Sequence, residues 1–357
     1  MSIWRFSEQL PPIPQQHRVT LGEGETPLVR STRLGPSLGL ENLYLKLESA
    51  NPTGSYKDRY AARAISVLLA NDAPVCLGTS SGNAGAALAA YCARADLRCV
   101  LALVEAAPAG KLRQMAAYGA ALVPIRGFGT NPDTTQQIMH DLEQLATDLH
   151  TKVQISAFKY CPEGMAGVST ISFELCEQLP AGIDHVFSPT SGGGLTLAVA
   201  RGFHSLPIKP AVHCVQPSGN NTIAGPLREG KPAAQSCQCT TAISGLQVAS
   251  VIDGHQTLSE CRASGGNGYL VDDQQVFALQ RRLAREEGIF CEPAGAVALT
   301  GAAEAVRRGE IAKDSTVVCL VTGAGFKDTA ALERMASGGL HPLADSVEQL
   351  AELCVLN

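Results

Sequence analysis

The stretch Asn51-Pro52-Thr53-Gly54-Ser55-Tyr56-Lys57-Asp58-Arg59 decides how the rest of the chain is interpreted. An alternating apolar run over residues 42–48 precedes it and predicts a strand, and an Ala-rich run over 60–69 predicts a helix. Ser55 is a candidate N-cap, which puts Lys57 in the first helical turn. A cation is disfavoured at this positive end of a helix dipole, so the position favours a reactive amine that can form a Schiff base. A solvated surface lysine is the simpler alternative for a lone Lys57.

The whole string resembles the Asn-Pro-Thr-Gly-Ser-Phe-Lys-Asp-Arg signature of threonine synthases. These enzymes belong to the fold-type II (tryptophan synthase beta-like) pyridoxal 5'-phosphate (PLP) enzymes. Tyr56 in place of Phe is the one departure, and Gly22-Glu23-Gly24-Glu25-Thr26-Pro27-Leu28 is similar to a second motif of the same family. The resemblance implies that PLP is the cofactor and that Lys57 is its Schiff-base lysine.

Length and composition favour a globular enzyme. The chain has 357 residues, of which 45% are hydrophobic and 17% charged, which is enough for two domains with buried sheets. The net charge of −5 without a polybasic run predicts no nucleic-acid partner. Neither a secretory signal nor a membrane-length apolar run is visible, so we expect a cytoplasmic protein without a membrane partner.

The twelve cysteines are scattered singly, mostly inside apolar runs, as at Cys76 and Cys99. This distribution favours reduced, buried thiols over a disulfide framework. Cys237-Gln238-Cys239 is the only close pair, and no second pair or His cluster completes a zinc site. We therefore predict no metal.

Short strands alternate with helices along the chain, the pattern of a parallel sheet covered on both faces. Strands are predicted at 75–78, 98–104, 121–125, 185–188, 211–215 and 315–321, and helices at 83–94, 110–117, 134–149, 165–178, 195–204, 273–287, 295–308 and 327–335. Residues 217–270, rich in Gly, Ser and Asn, are predicted to be irregular. The fold class is α/β with a cleft between two sheets.

The resemblance to fold-type II enzymes sharpens this fold prediction. It implies two three-layer α/β/α domains with the cofactor in the interdomain cleft. Residues 1–54 and 154–357 would form the large PLP-binding domain, and residues 55–153 the small domain. It also implies a homodimer.

Thr79-Ser80-Ser81-Gly82-Asn83 lies between a predicted strand and a predicted helix. Small hydroxyls and amides at a helix N-terminus can bind a carboxylate, although an ordinary N-cap turn has the same composition. The resemblance implies that Ser80, Ser81, Gly82 and Asn83 bind the substrate carboxylate. It places the Asn83 amide against the hydroxyl of the cofactor ring. It places Ser81 where serine racemases keep the acid/base group that acts on the second face of the substrate.

Ser191-Gly192-Gly193-Gly194-Leu195 also joins a predicted strand to a helix, and its glycines allow close approach to a phosphate. A dinucleotide fingerprint is not supported, because the glycine spacing is wrong and the next strand ends in Gln216 rather than an acid. A Walker loop is excluded, since no Gly-Lys-Ser/Thr follows. The segment resembles the glycine tetrad of serine and threonine dehydratases, whereas threonine synthases more often have Asn here. It is the predicted PLP phosphate loop.

Two further motifs lie in the C-terminal half of the chain. Thr322, at the end of the last strand, matches the family's hydroxyl that bonds the pyridine nitrogen, which suits elimination and replacement at the β or γ carbon. Cys291-Glu292-Pro293-Ala294-Gly295 resembles a family motif that places Glu292 near the ring edge and the active-site water. A carboxylate at a helix start before Pro is the alternative for Glu292.

A second segment, after the glycine loop, departs from threonine synthases. Threonine synthases hold the substrate phosphate with Arg and Lys in a Tyr-Arg-Ile-Glu-Gly-Gln-Lys-like segment, which matches residues 160–166 here. Cys161 then replaces Arg and Ala166 replaces Lys. Lost charge-assisted contacts weaken phosphate binding by roughly 1.5–3 kcal/mol each, unless Lys159 or Arg59 compensates.

These observations predict a PLP-dependent carbon–oxygen lyase or replacement enzyme acting on a small L-amino acid, with Lys57, Ser81 and Glu292 as catalytic residues. Lys57 would act as the general base at Cα. The alternatives are threonine synthase proper on O-phosphohomoserine, a serine/threonine dehydratase, an amino-acid racemase, a catalytically silent PLP-binding protein, or a nucleotide-dependent oxidoreductase. The amino acid, its leaving group and any second nucleophile stay open.

Overall fold

The computed structural model describes residues 2–105, 109–337, 346–347, 350 and 354, except for the side chains of 109–111 and 132, and these residues form ten strands in two sheets. The strands are β1 (Leu28–Arg30), β2 (Asn42–Lys46), β3 (Cys76–Thr79), β4 (Cys99–Leu103), β5 (Ala121–Pro124), β6 (Val153–Gln154), β7 (His185–Pro189), β8 (Ala211–Pro217), β9 (Gly268–Val271) and β10 (Thr316–Leu320).

The larger sheet has the spatial order β1-β2-β10-β7-β8-β9. Only β1 and β2 pair antiparallel in it, and the other neighbours are parallel, with Val318 of β10 opposite Tyr44 and Val186. The smaller sheet has the order β5-β4-β3-β6 and is parallel throughout, with Gly78 opposite Leu101 and Gln154. Parallel pairs need crossover connections, which the helices supply.

Thirteen α-helices lie within the described part of the chain. They are α1 (Leu34–Ser37), α2 (Lys57–Ala70), α3 (Asn83–Arg94), α4 (Ala109–Ala117), α5 (Pro132–Asp148), α6 (Pro162–Met165), α7 (Thr170–Gln178), α8 (Gly194–Gly202), α9 (Ala224–Arg228), α10 (Gly254–Ala263), α11 (Asp273–Glu287), α12 (Pro293–Arg307) and α13 (Thr329–Ala336). None of the described helices is long and apolar enough to cross a bilayer.

Helices cover both faces of each sheet. Side chains alternate between the faces of a strand, and in β10 Val317 and Cys319 pack in one core with α12, whereas Val318 and Leu320 pack in another with α8. In the smaller sheet Leu77 packs with α5, and its neighbour Cys76 packs with α3. The predicted α/β class and its three-layer arrangement are confirmed.

Two stretches differ from the sequence prediction. Residues 217–270 are not irregular throughout, because they contain α9, α10 and the edge strand β9. Gly268 in β9 approaches the backbone so closely that a Cβ there would lie 1.8 Å from the Ala224 carbonyl oxygen, so this glycine serves a close tertiary contact rather than a loop. The single helix predicted over 165–178 is divided into α6, a 3₁₀ turn (Ala166–Ser169) and α7. A Cβ at Gly167 would lie 2.2 Å from the Arg59 carbonyl oxygen, so close packing on α2 accompanies the break.

A buried ion cluster, formed by Lys46, Glu48, Arg59 and Glu174, fastens α2 to β2 and α7. All four side chains are at most 1% exposed. Arg59 donates to Glu48 at 2.7 and 2.8 Å and to Glu174 at 2.6 and 2.8 Å, and Lys46 Nζ lies 2.6 Å from Glu174. Thr26 of the Gly-Glu-Gly-Glu-Thr-Pro-Leu motif donates to Glu48 at 2.7 Å, so this motif completes the cluster.

The two sheets divide the chain much as the domain prediction does. β3 to β6 span residues 76–154, and the larger sheet takes its strands from residues 28–46 and 185–320. The boundaries themselves, 1–54 with 154–357 and 55–153, stay a prediction. Residues 338–345 and most of the chain beyond them lie outside the described residues.

Candidate active site

A cavity of about 590 Å³ lies where strands of both sheets end. Its wall is built from segments that follow β3, β6, β7 and β10, as expected for ligand sites in parallel sheets. Every residue that the sequence analysis selected lines it: Lys57, Ser80, Ser81, Gly82, Asn83, Ser191, Gly192, Gly193, Gly194, Leu195, Glu292 and Thr322.

Lys57 is the first residue of α2 and is half-buried at the cavity wall. Its Nζ donates to Ser156 Oγ at 2.6 Å and lies 4.5 Å from the centre of the Tyr56 ring. The predicted cap was off by one residue, because Tyr56 occupies the cap position and Ser55 Oγ accepts from the Lys57 amide at 3.4 Å. Tyr56 also donates its amide to the Thr322 carbonyl at 3.1 Å, which ties the lysine loop to the end of β10.

Asp58 holds this loop from behind. Its buried carboxylate accepts from the Thr53 amide at 3.0 Å and the Thr53 hydroxyl at 2.7 Å. Burial raises the pKa of Asp58 to about 6, and the two Thr53 bonds offset only part of that effect. The turn itself requires Gly54, whose φ is +87°.

The loop from Thr79 to Asn83 brings polar groups to the mouth of α3. The Gly82 amide donates to Ser80 Oγ at 3.2 Å, and a Cβ at Gly82 would meet nothing within 4 Å, so this glycine borders open cavity. Asn83, the first residue of α3, donates its side-chain amide to Glu292 Oε1 at 2.8 Å. That bond spans the cavity between the two sheets.

The glycine loop precedes α8, which begins at Gly194. Gly193 has φ of +107°, and a Cβ there would lie 2.3 Å from Thr257 Oγ1. Both the backbone conformation and the contact with α10 therefore require glycine. The loop amides and the start of a nine-residue helix make a site for a phosphate dianion.

Glu292 and Thr322 close the cavity beside β10. Glu292 is 5% exposed, and its amide donates to the Gly323 carbonyl at 2.9 Å. A Cβ at Gly323 would lie 2.1 Å from Glu292 Oε1, so only glycine lets the carboxylate sit there. Thr322 is 4% exposed and lines the same wall.

Sequence reasoning missed two residues that organise this site. Ser156, the partner of Lys57, follows β6, a two-residue strand too short to give a periodic signal. Asp253 accepts from the amides of Phe158 and Lys159 at 2.8 and 3.0 Å, and its own amide donates to the Gly192 carbonyl at 2.9 Å. It joins the glycine loop to the segment that carries Ser156, and it lay in the stretch predicted to be irregular.

Positive charge is scarce in the cavity. Among the described residues that line it, Lys57 is the only cation and Glu292 the only anion. Arg59 cannot compensate for a missing phosphate ligand, because it is 0% exposed and bound in the ion cluster. Lys159 is exposed and does not line the cavity. Lys327 donates to the Thr53 carbonyl and to Gln114 Oε1, each at 2.7 Å.

Residues 160–166, which match the segment that binds the substrate phosphate in threonine synthases, also lie outside the cavity lining. Cys161 is buried, with its Sγ donating to Gln154 Oε1 at 3.2 Å. Ala166 packs against the apolar cluster of Phe6, Leu10 and Phe173. Neither side chain lines the cavity.

The residues present fit PLP. The glycine loop before α8 offers amides to a phosphate, and Gly82 leaves open space where a Cβ would project. An amine, an amide and a hydroxyl from Lys57, Asn83 and Thr322 line the same cavity. These groups match the aldehyde, ring hydroxyl and ring nitrogen of the cofactor in chemical type.

Comparison with known proteins agrees with this reading. Residues 19–323 match the family described as "Pyridoxal-phosphate dependent enzyme". The chain is 34% identical to threonine synthase of Methanocaldococcus jannaschii, over 94% of this chain and 82% of that one, and 32% identical to threonine synthase of Halalkalibacterium halodurans, over 92% and 91%.

Solved structures show the same fold at lower identity. The processed form of threonine deaminase isoform 2 from Solanum lycopersicum superposes with a TM-score of 0.75 at 24% identity, covering 95% of this chain and 89% of that one. Maize serine racemase gives a TM-score of 0.75 at 22% identity, covering 88% and 92%. The predicted cofactor and enzyme class, a PLP-dependent carbon–oxygen lyase, are confirmed at the level of the family. The chain belongs to the PLP-dependent enzymes of fold type II, as a threonine synthase-like member.

Proposed function

We propose that this enzyme eliminates or replaces an uncharged substituent at the β or γ carbon of a small L-amino acid, such as serine, threonine or an O-acylated homoserine. The observation that carries the proposal is the charge of the cavity. Its described lining offers Lys57 as its one cation, and that amine is committed to the cofactor. A phosphomonoester on the substrate would be buried without a charged partner, which is costly.

Each site residue has a role in this proposal. The amides of Gly192, Gly193 and Gly194 would hold the cofactor phosphate, and the Thr322 hydroxyl would hold the ring nitrogen. Ser80, Ser81 and Gly82 bind the carboxylate of the amino acid. When bound, the cofactor supplies the electron sink that makes the Cα proton acidic enough to remove.

Proton transfer falls to Lys57. Its Nζ, held 2.6 Å from Ser156 Oγ, accepts the Cα proton and returns a proton to the leaving group. Asn83 would orient the ring hydroxyl. Its side-chain amide, which now donates to Glu292, would then donate to that hydroxyl instead. Glu292, which lines the same cavity, would position water or a second nucleophile. Ser81 faces the substrate from the carboxylate loop.

Steady-state assays with paired substrates test this proposal. We expect kcat/KM for O-phosphohomoserine to be at least about 100-fold below that for an O-acylhomoserine, serine or threonine, because the described lining offers the substrate phosphate no cation besides Lys57. Lys159→Ala should leave the ratio unchanged, because Lys159 is outside the cavity. A preference for O-phosphohomoserine, lost in Lys159→Ala, would contradict the proposal.

Threonine synthase proper is the second candidate, because curated threonine synthases are similar over most of this chain. The same assay separates the two. Release of a keto acid and ammonia from serine or threonine would identify the proposed elimination as that of a serine/threonine dehydratase, whereas inversion at Cα without elimination would favour a racemase. A protein that binds PLP and turns over none of these substrates would be a silent member of the fold.

We also propose that the enzyme is a homodimer and works in the cytoplasm. Free thiols at Cys237 and Cys239, both partly accessible, support a reducing compartment. Sedimentation of the purified holoenzyme decides the assembly, with a single species of two chains expected.

A further inference from the structure

Three cysteines that are scattered along the sequence meet in the core of the smaller sheet. Cys76 begins β3, Cys99 begins β4, and Cys92 lies in the last turn of α3. Their Sγ atoms all lie within 4.8 Å of one another. Cys76 and Cys99 are direct neighbours in the parallel pairing of β3 with β4. This three-thiol cluster has no part in the mechanism above.

The surroundings of the three-thiol cluster are apolar and closed. Cys76 and Cys92 are 0% exposed and Cys99 is 7% exposed, and all three belong to the main hydrophobic core. Within the described residues, the cluster contains neither an imidazole nor a carboxylate. A ligand there is therefore thiophilic and three-coordinate. Structural zinc takes four ligands, and burial leaves no water to supply the fourth.

Charge selects among thiophilic ions. Coordinated thiols lose their protons, so three thiolates would bring three negative charges into the core. A monovalent or divalent cation leaves that charge only partly balanced, which is costly without a paired cation. A trivalent ion gives a neutral complex, which an apolar core accepts.

We propose that Cys76, Cys92 and Cys99 form a binding site for a trivalent thiophilic ion, for which arsenite is the probe. Three arsenic–oxygen bonds of As(OH)₃ break and three arsenic–sulfur bonds form. The three thiol protons leave with the three hydroxides as water, and no atom changes oxidation state. Sulfurs at about 2.3 Å from a shared ion are about 4 Å apart or less, so each needs to move by less than about 1 Å.

The place of the three-thiol cluster makes the holoenzyme suitable for the test. β3 runs from Cys76 to Thr79, and α3 runs from Asn83 to the turn that holds Cys92. The cluster therefore lies at the opposite end of both elements from the loop that lines the cavity. Cofactor and arsenite do not compete for one site.

Native mass spectrometry of holoenzyme incubated with arsenite and desalted tests the proposal. We expect one arsenic per chain with the loss of three hydrogens, and X-ray absorption should count three sulfurs at the arsenic. Cys92→Ala should lower the affinity at least about 100-fold, because one of three ligands is lost. Cys319→Ala, a buried strand cysteine outside the cluster, should bind as the wild type does.

Wild-type holoenzyme alone can overturn the proposal. A chain that binds no arsenic at millimolar arsenite would contradict it. An adduct in which only two sulfurs bind the arsenic, as binding at Cys237 and Cys239 would give, would also contradict it. So would stoichiometric Zn(II) binding that displaces arsenite. Circular dichroism of Cys92→Ala shows whether lost arsenic binding is due to loss of a ligand or to unfolding. Cys76→Ala removes a second ligand and tests the site independently.

Discussion

The cavity and the buried ion cluster use the same short segment in opposite ways. Lys57 and Arg59 are two residues apart in the first turn of α2, so their side chains leave the helix about 200° apart. Lys57 faces a cavity of about 590 Å³ and is held by one hydroxyl, Ser156. Arg59 faces the core and is bound by two carboxylates and two threonines, namely Glu48, Glu174, Thr26 and Thr170.

The contrast shows how one signature combines reactivity with rigidity. A catalytic amine must exchange partners, which a single hydrogen bond permits. The guanidinium two residues later cannot exchange partners, because its removal would leave Glu48 buried without a cation and Glu174 with Lys46 alone. Lys57 is thereby anchored by a neighbour that is locked in place.

The largest expected effect is on chemistry. Lys57→Ala should lower kcat by at least about 10³-fold, since the general base and the covalent attachment are both lost. Unfolding of the cofactor-free protein should stay nearly unchanged, because the Lys57 side chain contributes one hydrogen bond. Rates on serine and threonine, with urea unfolding of both apo proteins, provide the check. If Lys57→Ala lowered the free energy of unfolding as much as we expect for Arg59→Met below, the contrast between the two residues would be wrong.

Arg59→Met should act the other way, on stability. We expect a loss of about 3–5 kcal/mol in the free energy of unfolding, because Glu48 is left buried without a cation and Glu174 keeps only Lys46. Arg307→Met, which removes an exposed partner of Glu304, is the matched control and should change nothing measurable. If both variants were equally stable, the ion cluster would not be what holds α2.

Two buried carboxylates, Glu174 of the ion cluster and Asp58 of the lysine loop, should change the free energy of unfolding in opposite directions as the pH rises. For Glu174, burial raises the pKa, but Arg59 and Lys46 outweigh it and lower the value to about 2. Its contribution is therefore present above its ordinary pKa and is lost as the pH falls through about 2. Asp58, with a pKa raised to about 6, contributes most at low pH and loses that contribution as the pH rises through about 6.

Urea unfolding of the cofactor-free protein from pH 2 to pH 8 measures both effects. Glu174→Gln should reduce the loss of unfolding free energy that occurs as the pH falls towards 2. Asp58→Asn should reduce the loss that occurs as the pH rises from about 4 to 6. Each reduction should be up to about 3 kcal/mol. Parallel curves for wild type and Asp58→Asn in that window would mean that the carboxylate titrates normally.

Ser156→Ala is expected to have the smallest effect. Loss of the hydroxyl that positions Lys57 Nζ should reduce kcat about 3- to 10-fold, the equivalent of one hydrogen bond. Ser244→Ala, a cavity serine in another loop, serves as the control. A larger loss in the control than in Ser156→Ala would argue against a positioning role for Ser156.

The sequence predicted those features that are contiguous in the chain. The lysine loop, the Thr79–Asn83 loop, the glycine loop and the Glu292 motif each join one element to the next, so composition and spacing reveal them. Ser156 and Asp253 contact the site through partners about 60 to 100 positions away, and Arg59 contacts Glu174 at a separation of 115 positions. The three-thiol cluster likewise forms only when β3, β4 and α3 pack together. Periodicity carries no information on such contacts.

The most direct test of the central claim is to reduce the purified holoenzyme with borohydride and map the labelled peptide. The contrast between the cavity and the ion cluster predicts a single pyridoxyl group on Lys57, and no label in Lys57→Ala. Lys327, the lysine that donates to the Thr53 carbonyl of the same loop, is the closest competitor. A pyridoxyl group on Lys327, or label that persists in Lys57→Ala, would contradict the account.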